Sequence, residues 1–178
     1  MPHLRSRASC VVFNETCTEV LLVQSSKRPT CWVLPGGGVE DGETPLYAAL
    51  RELWEEGGCR PSHHYTIPGS PGAPHPFIVQ LTEEPVQVKK SSTTPFVTVV
   101  GTLEEEEYPE KGERKRAWFP LAGVSPAIQG SAVGEKVWGV IQLAWGFDPS
   151  KGGEEGASRV ISDRLTALLQ NKGGGTIQ

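Results

Sequence analysis

Three glutamates within one short segment are the side chains best suited to chemistry in this chain: Glu52, Glu55 and Glu56. Glu52 and Glu56 are four residues apart and Glu52 and Glu55 are three apart, so a helix would place all three carboxylates on one side. Like charges at these spacings destabilise a helix by roughly 0.2–0.5 kcal/mol per pair, and a bound divalent cation would offset that repulsion. Carboxylate oxygens suit Mg²⁺ or Mn²⁺, which also bind substrate phosphates. The alternative is a solvated acidic face in which Arg51 pairs with Glu55.

The helix that must carry these glutamates is delimited by its flanking residues. Thr44 is a suitable N-cap, Pro45 a suitable first helical residue, and Gly57 or Gly58 would end the helix in a left-handed conformation. The sequence therefore predicts a helix over residues 44–57. Its core stripe is expected to consist of Leu46, Ala49, Leu50 and Leu53. Because Glu55 and Glu56 fall beside this stripe, we expect both to be exposed.

The segment from Gly36 to Cys59 resembles the Nudix box, a pattern of fixed residues at fixed spacing. The matching positions are Gly37, Glu43, Arg51, Glu52, Leu53, Glu55, Glu56, Gly58 and Cys59. Membership of this family implies a Nudix-type α/β/α sandwich with a mixed β-sheet and a loop–helix–loop catalytic motif. It also implies an enzyme that hydrolyses a phosphoanhydride bond.

The resemblance further implies a role for each residue of the box. Glu52 and Glu56 would hold Mg²⁺, with Mn²⁺ as the alternative, helped by the backbone carbonyl of Gly36. Glu55 would be a further ligand or the base that takes a proton from the attacking water. Arg51 and Glu43 would pair and brace the loop against the helix. These roles suit an anionic pyrophosphate, because metal ions neutralise its oxygens and lower the pKa of a bound water.

Basic residues outside the box bear on the substrate. Residues 5–59 and 111–119 resemble the diphosphoinositol polyphosphate phosphohydrolases, a subgroup that also cleaves diadenosine and other dinucleoside polyphosphates. The segments on which this resemblance rests include Val20-Leu21-Leu22-Val23, Trp32 to Gly38, and Gly112 to Phe119. The resemblance implies that substrate phosphates contact Arg5, Arg7, Ser25, Ser26, Lys27 and Arg114, with Lys89 and Lys90 as the nearest match to a further basic segment. The implied partner is a small polyphosphorylated substrate.

Other readings of the site remain open. A nucleotide-specific pyrophosphohydrolase would stack a base on an aromatic ring, for which Trp32, Tyr108 and Trp118 are candidates. A catalytically silent Nudix module would only bind a ligand. A further metal ligand could come from the acidic segment that contains Glu104–Glu107 and Glu113. The loop histidines that could touch phosphate are His63, His64 and His75.

The whole chain of 178 residues is predicted to form one domain over residues 1–171, with a Gly-rich tail at 172–178. The box spans 37–59, and a Pro/Gly/His-rich insertion follows at about 60–76. Apolar runs predict strands at 8–13, 20–24, 77–81 and 96–103, with a short apolar run at 32–34 and a short strand or turn at 117–119. Helical periods predict helices at 133–145 and 157–170. Residues 104–113 are predicted to be a charged loop.

Composition narrows the class of protein. A net charge of −4 argues against general nucleic-acid binding. No run approaches the ~18 apolar residues of a membrane helix. The four cysteines form no Cys-x-x-Cys pair, which indicates reduced thiols in a cytoplasmic or nuclear protein. The oligomeric state is not indicated.

Overall fold

The described residues of this computed structural model, 3–60, 78–100 and 103–171, form an eight-stranded mixed β-sheet with helices on both faces. Most of the predicted insertion and the predicted tail lie outside these ranges. The strands are β1 (Arg5–Phe13), β2 (Glu19–Gln24), β3 (Trp32–Val33), β4 (Gly36–Gly38), β5 (Ile78–Gln80), β6 (Val86–Val88), β7 (Ser91–Val99) and β8 (Arg116–Pro120). The helices are α1 (Pro45–Gly57), α2 (Leu121–Ala127), α3 (Ala132–Trp145) and α4 (Pro149–Asn171).

The sheet is built around β1 and β7, which run parallel over their whole length from Arg5↔Ser91 to Phe13↔Val99. The main path is β3-β2-β1-β7-β5, while β4 pairs with β1, β6 with β7 and β8 with β2. All of these other pairings are antiparallel. Because β1 and β2 share only the pair Phe13↔Val20, β4 takes the place of β2 beside the first half of β1.

Alternation along β1 creates two apolar layers. Cys10 and Val12 pack on one face with Leu53 of α1, whereas Val11 and Phe13 pack on the other face with side chains of α2, α3 and α4. The second layer includes Leu121, Val124, Val137, Trp138, Ile141, Ile161 and Leu165. This arrangement confirms the predicted α/β/α sandwich.

Helix α1 follows the sequence signals closely. The Thr44 hydroxyl accepts a hydrogen bond from the backbone N–H of Tyr47 at 3.2 Å, and Pro45 opens the helix. Gly58 ends it with φ 59° and ψ 32°, a left-handed conformation that favours glycine. The predicted range 44–57 is therefore confirmed within one residue.

Two strands begin earlier than predicted. β1 starts at Arg5 rather than residue 8, and β7 starts at Ser91 rather than residue 96. The early parts of both strands are polar, because one of their faces lines a cleft instead of the apolar core. A polar strand of this kind lacks the apolar alternation that predicts a strand. Pro95 also argued against a strand at this part of β7, because proline is uncommon within strands.

Other elements had no signal in the sequence. β4 consists of three glycines, for which no strand was predicted, and Gly36 pairs with Ser9 so closely that a Cβ there would overlap the Ala8 carbonyl oxygen. β6 is three residues long, and α2 has no side-chain cap and contains Pro126. α3 confirms the helix predicted at 133–145, whereas α4 begins at Pro149 and is interrupted at Gly153, where φ is 75°.

Across the described parts of the chain, none of the helices has the length and apolar character needed to cross a membrane.

Candidate active site

Arg51 holds together the end of β4, the loop before α1 and the carboxylate of Glu43. Its Nε donates to Glu43 Oε1 at 2.9 Å, and its Nη2 donates to Glu43 Oε2 at 3.1 Å and to the Gly38 carbonyl at 2.9 Å. These bonds hold the pKa of Glu43 below its usual value, the side-chain hydrogen bond from Arg51 being the largest cause. They also raise the pKa of Arg51, so both groups stay charged. The loop before α1 is thereby tied to the helix, as the resemblance to the Nudix box implied.

The two neighbouring carboxylates also contact Arg51. Its Nη1 lies 3.0 Å from Glu52 Oε1 and 3.3 Å from Glu55 Oε2. Glu52 lies directly against β4, since a Cβ at Gly37 would overlap its carboxylate. Of the three α1 glutamates, Glu55 has the most exposed side chain, at 34%, compared with 12% for Glu52 and 7% for Glu56.

Glu56 is buried, so the expectation that it would be exposed is wrong. Its Oε2 accepts a hydrogen bond from the Gly36 backbone N–H at 3.0 Å, and its Oε1 lies 2.8 Å from Arg114 Nη1. The carboxylate points away from solvent because β4 and the loop before β8 cover this side of α1. The position of Glu56 beside the apolar stripe of α1 does not indicate that other elements of the fold bury it.

Burial leaves two of these acids poorly stabilised as anions. It raises the pKa of Glu56 to about 7 despite the Gly36 hydrogen bond and the nearby Arg114. Burial likewise raises the pKa of Glu52, and the neighbouring charges of Glu55 and Glu110 add to that effect. A divalent cation would favour the charged form of both groups.

The donor types therefore fit a divalent cation. Glu52, Glu55 and Glu56 supply hard oxygens on one helix, and the backbone of Gly36 contacts Glu56 through its N–H. The carboxylates do not converge on one point, and no group of three His, Cys, Asp or Glu gathered for a metal occurs in the described ranges. The reason is visible in the contacts, since Arg51 and Arg114 draw the carboxylates to themselves.

A cleft of about 610 Å³ lies beside these glutamates. It is lined by four acids and six cations, namely Glu52, Glu55, Glu56 and Glu110, and Arg5, Arg7, Lys27, Arg28, Lys89 and Arg114. Ser25, Ser26 and Gly36 also line it. All but one of the predicted substrate-binding residues thus share one cavity with the predicted metal ligands. Lys90 is the exception, because it does not line the cleft, although its carbonyl accepts a bond from the Arg5 N–H at 2.9 Å.

Most cations of the cleft have no acidic partner. Within the described ranges no carboxylate forms an ion pair with Arg5, Arg7, Lys27 or Lys89. Arg114 differs, because it contacts both Glu56 and Glu110 at 2.8 Å. The positive charge of the other four is available to an anionic ligand.

One acidic residue of the cleft was missed by the sequence reasoning. Glu110 lines the cleft, whereas the candidates Glu104–Glu107 and Glu113 do not. The backbone N–H of Glu110 donates to the Glu55 carbonyl at 2.9 Å, which fixes this loop against α1. No sequence signal separates Glu110 from the other acids of the segment.

The aromatic candidates also lie away from the cleft. Trp32 packs against Phe119 with ring centroids 4.9 Å apart, and Trp118 packs in the apolar layer beneath α1. Tyr108 is buried beneath the Arg116 guanidinium, 4.6 Å from its ring centroid. All three serve packing. His63, His64 and His75 lie outside the described residues.

A family model described as the NUDIX domain matches residues 3–136. The chain belongs to the Nudix family. Curated Nudix relatives include the mouse diphosphoinositol polyphosphate phosphohydrolase 3-alpha, which is 37% identical over 127 residues that make up 70% of each chain. The human 3-alpha protein is 34% identical over 126 residues, again 70% of each chain.

Solved structures show the same Nudix fold. A Nudix hydrolase family member from Chromobacterium violaceum has a TM-score of 0.57 at 16% identity, covering 97% of both chains. An Ap4A hydrolase from C. elegans has a TM-score of 0.53 at 18% identity, covering 79% of this chain and 99% of that one. The family model and the curated relatives, together, make the chain a Nudix pyrophosphohydrolase, a class of enzyme that generally uses divalent metal ions.

Proposed function

We propose that this Nudix hydrolase uses Mg²⁺ to remove the terminal phosphate from the pyrophosphate group of diphosphoinositol polyphosphates. Diadenosine and other dinucleoside polyphosphates are proposed as further substrates. The observation that carries the proposal is the set of unpaired cations, Arg5, Arg7, Lys27 and Lys89, in the same cleft as the α1 glutamates. The names of the relatives at 34–37% identity support the same substrate class.

Charge explains why such a substrate suits the cleft. A diphosphoinositol polyphosphate carries phosphates around its whole ring, so it needs cations on several sides. Arg5 and Arg7 lie on β1, Lys27 follows β2, and Lys89 lies in the turn between β6 and β7. Cations from three separate elements can therefore contact several phosphates at once through charge-assisted hydrogen bonds.

The reaction places the anhydride beside α1. A divalent cation held by Glu52, Glu56 and the Gly36 carbonyl would neutralise phosphate charge and acidify a water molecule. Glu55, the most exposed α1 glutamate, accepts the proton of the attacking water. The water oxygen forms a bond to the terminal phosphorus, and the bond from that phosphorus to the bridging oxygen breaks. The bridging oxygen leaves with the inositol polyphosphate, and orthophosphate is the second product.

The test is a substrate panel. Purified protein with Mg²⁺ is incubated with a diphosphoinositol polyphosphate, diadenosine hexaphosphate, a nucleoside triphosphate and a capped RNA. We expect one orthophosphate per inositol pyrophosphate, and release by the Glu55→Gln variant that is slower by about 10²-fold or more. Intact inositol pyrophosphate together with rapid cleavage of the triphosphate or the capped RNA would overturn the proposal.

A nucleotide-specific enzyme is the alternative that the site supports less well. Such an enzyme commonly stacks a base on an aromatic ring, and no tryptophan, tyrosine or phenylalanine in the described ranges lines the cleft. The cytoplasmic or nuclear location stays a prediction from composition.

A further inference from the structure

Two buried hydroxyl groups at the cleft have no hydrogen-bond partner among the described residues, Ser9 Oγ and Thr93 Oγ1. Ser9 is 4% exposed, Thr93 is fully buried, and both residues line the cleft. A buried hydroxyl without a partner costs stability, because it has given up its hydrogen bonds to water. Its retention at a cleft therefore points to a ligand oxygen as its partner.

The strand register places these hydroxyls on the floor of the cleft. Ser9 follows Arg7 on the same face of β1, and Thr93 of β7 is the direct neighbour of Arg7. Further along this face, Val11 and Val97 belong to the apolar layer beneath α2, α3 and α4. An apolar residue at either position would simply extend that layer, so the hydroxyls mark the point at which the core becomes a binding surface.

The first turn of α3 borders the same floor. Ser131, Ala132, Val133 and Gly134 all line the cleft. The Ser131 hydroxyl accepts the Gly134 N–H at 3.1 Å, whereas the amides of Ala132 and Val133 have no acceptor among the described residues. Free amides at the start of a 14-residue helix favour an anion.

Helix α3 is also anchored close to Thr93. Lys136, in the second turn of α3, donates from Nζ to the Gln87 carbonyl at 2.8 Å. Gln87 lies opposite Ser92, the residue before Thr93. The bond through β6 therefore links α3 to the strand that carries Thr93, and both the first turn of α3 and Thr93 line the cleft.

We propose that Ser9, Thr93 and the first turn of α3 form a subsite for a substrate phosphate that is not cleaved, here called the floor subsite. This inference rests on the proposed function in requiring a substrate with several phosphates. Amides can only donate and hydroxyls can donate, so the oxygens of one phosphate match every group of the floor subsite. The reacting group is a different one, because it meets Glu52 and Glu56 of α1, which packs on the opposite face of the sheet.

The depth of the floor subsite makes it selective. Because both hydroxyls are buried, a ligand with no oxygen at this position leaves them unpaired. A substrate with a phosphate there gains these bonds, and one that reaches only the α1 side of the cleft does not. The floor subsite is thus expected to affect KM for large polyphosphates more than kcat.

The first test replaces the hydroxyl of Thr93 by a methyl group. Thr93→Val should weaken binding of inositol hexakisphosphate, a probe without an anhydride bond, by roughly three- to tenfold in calorimetry without metal. Thr93→Ser keeps the hydroxyl and should restore most of the affinity. Thr94→Val is the matched control, because Thr94 is the next residue, is also buried, and does not line the cleft.

The second test removes an amide from α3. Ala132 is the first helical residue, where proline is well tolerated, and Ser131 already has the extended backbone that precedes proline, with φ −90° and ψ 97°. Ala132→Pro should therefore keep the fold and weaken inositol hexakisphosphate binding by a similar factor. Thermal unfolding of each variant checks the fold independently of binding.

The outcomes separate the floor subsite from the proposed function. If the wild type binds inositol hexakisphosphate and both Thr93→Val and Ala132→Pro bind it equally well, the floor subsite is overturned and the proposed function stands. If the wild type does not cleave an inositol pyrophosphate but binds inorganic tripolyphosphate in a way that depends on Thr93 and Ala132, the floor subsite stands and the proposed function fails. Loss of binding in Thr94→Val equal to that in Thr93→Val would also count against the floor subsite.

Discussion

The two sides of the cleft differ in how their charges are satisfied. The glutamate side, formed by Gly36–Gly38 and α1, has its carboxylates paired with Arg51, Arg114 or the Gly36 N–H. The basic side, formed by Arg5, Arg7, Lys27 and Lys89, has no acidic partner in the described ranges. One side is fixed by its own contacts before any ligand arrives, and the other holds positive charge that a ligand must neutralise.

This contrast assigns the two sides different work. Hydrogen bonds to arginines and backbone keep the carboxylates beside the cleft, where a bound metal would replace the arginines as their partner. Cations that bind a polyanion gain most when no carboxylate competes for them. Changes on the glutamate side should therefore reduce kcat, and changes on the basic side should raise KM.

The largest expected effect comes from the glutamate side. Glu55→Gln should lower kcat by about 10²–10⁴-fold, the usual contribution of a general base, with little change in thermal stability because this side chain is partly exposed. Steady-state kinetics with the diphosphoinositol polyphosphate of the substrate panel measures this fall in kcat. Glu113→Gln is the control, since Glu113 is exposed and does not line the cleft. Equal kcat in the Glu55 variant and the wild type would refute the role of Glu55.

Arg114 is the residue at which the two sides meet, and its loss should affect both stability and activity. Arg114→Ala leaves Glu56 and Glu110 without their cation in a largely buried place, which should cost roughly 3 kcal/mol in the free energy of unfolding. Urea unfolding without metal measures the loss. Mg²⁺ should recover part of it, because a divalent cation can also neutralise Glu56. Arg28→Ala provides the comparison, since among the described residues the Arg28 side chain donates only to the Gly130 carbonyl. A loss as large there would contradict the assignment.

The buried Glu56 should make the metal-free protein sensitive to pH. Its pKa is about 7 in the folded chain and near 4.5 in the unfolded one, so between these values the folded state binds the extra proton. Stability should therefore fall as pH rises from about 4.5 to about 7, by roughly 3 kcal/mol at most. Denaturant unfolding in EDTA at several pH values measures the slope, which Glu56→Gln should make shallower. An identical slope in that variant would show that Glu56 is not the titrating group.

The glutamate side was predictable from the sequence because it is local. A cap at Thr44, a proline at 45 and a glycine at 58 define α1, and the spacing of Glu52, Glu55 and Glu56 follows from the helix. What spacing could not show is the burial of Glu56, because the elements that cover it come from elsewhere in the chain.

The basic side was predictable only in part, because it is assembled by the tertiary fold. The resemblance to a known subgroup supplied Arg5, Arg7 and Lys27, but nothing in the sequence indicated that Glu110 or the first turn of α3 would join them. Their positions depend on single long-range contacts, such as the bond from the Glu110 N–H to the Glu55 carbonyl. Ser9 and Thr93 were missed for a related reason. A polar strand face that lines a cleft has the same sequence pattern as a polar strand face that is exposed to solvent.

The smallest expected effect separates two adjacent lysines on the basic side. Lys89 and Lys90 form the two-residue turn between Val88 and Ser91, and Lys89 has φ 53°, a left-handed conformation that glycine adopts more readily. Lys89→Gly should therefore keep stability or raise it by roughly 1 kcal/mol, while the lost charge raises KM about threefold. Lys90→Gly should leave KM unchanged, because Lys90 does not line the cleft. Thermal unfolding and KM measured on the same preparations decide the matter: if both variants raise KM equally, general positive charge and not a placed lysine attracts the substrate.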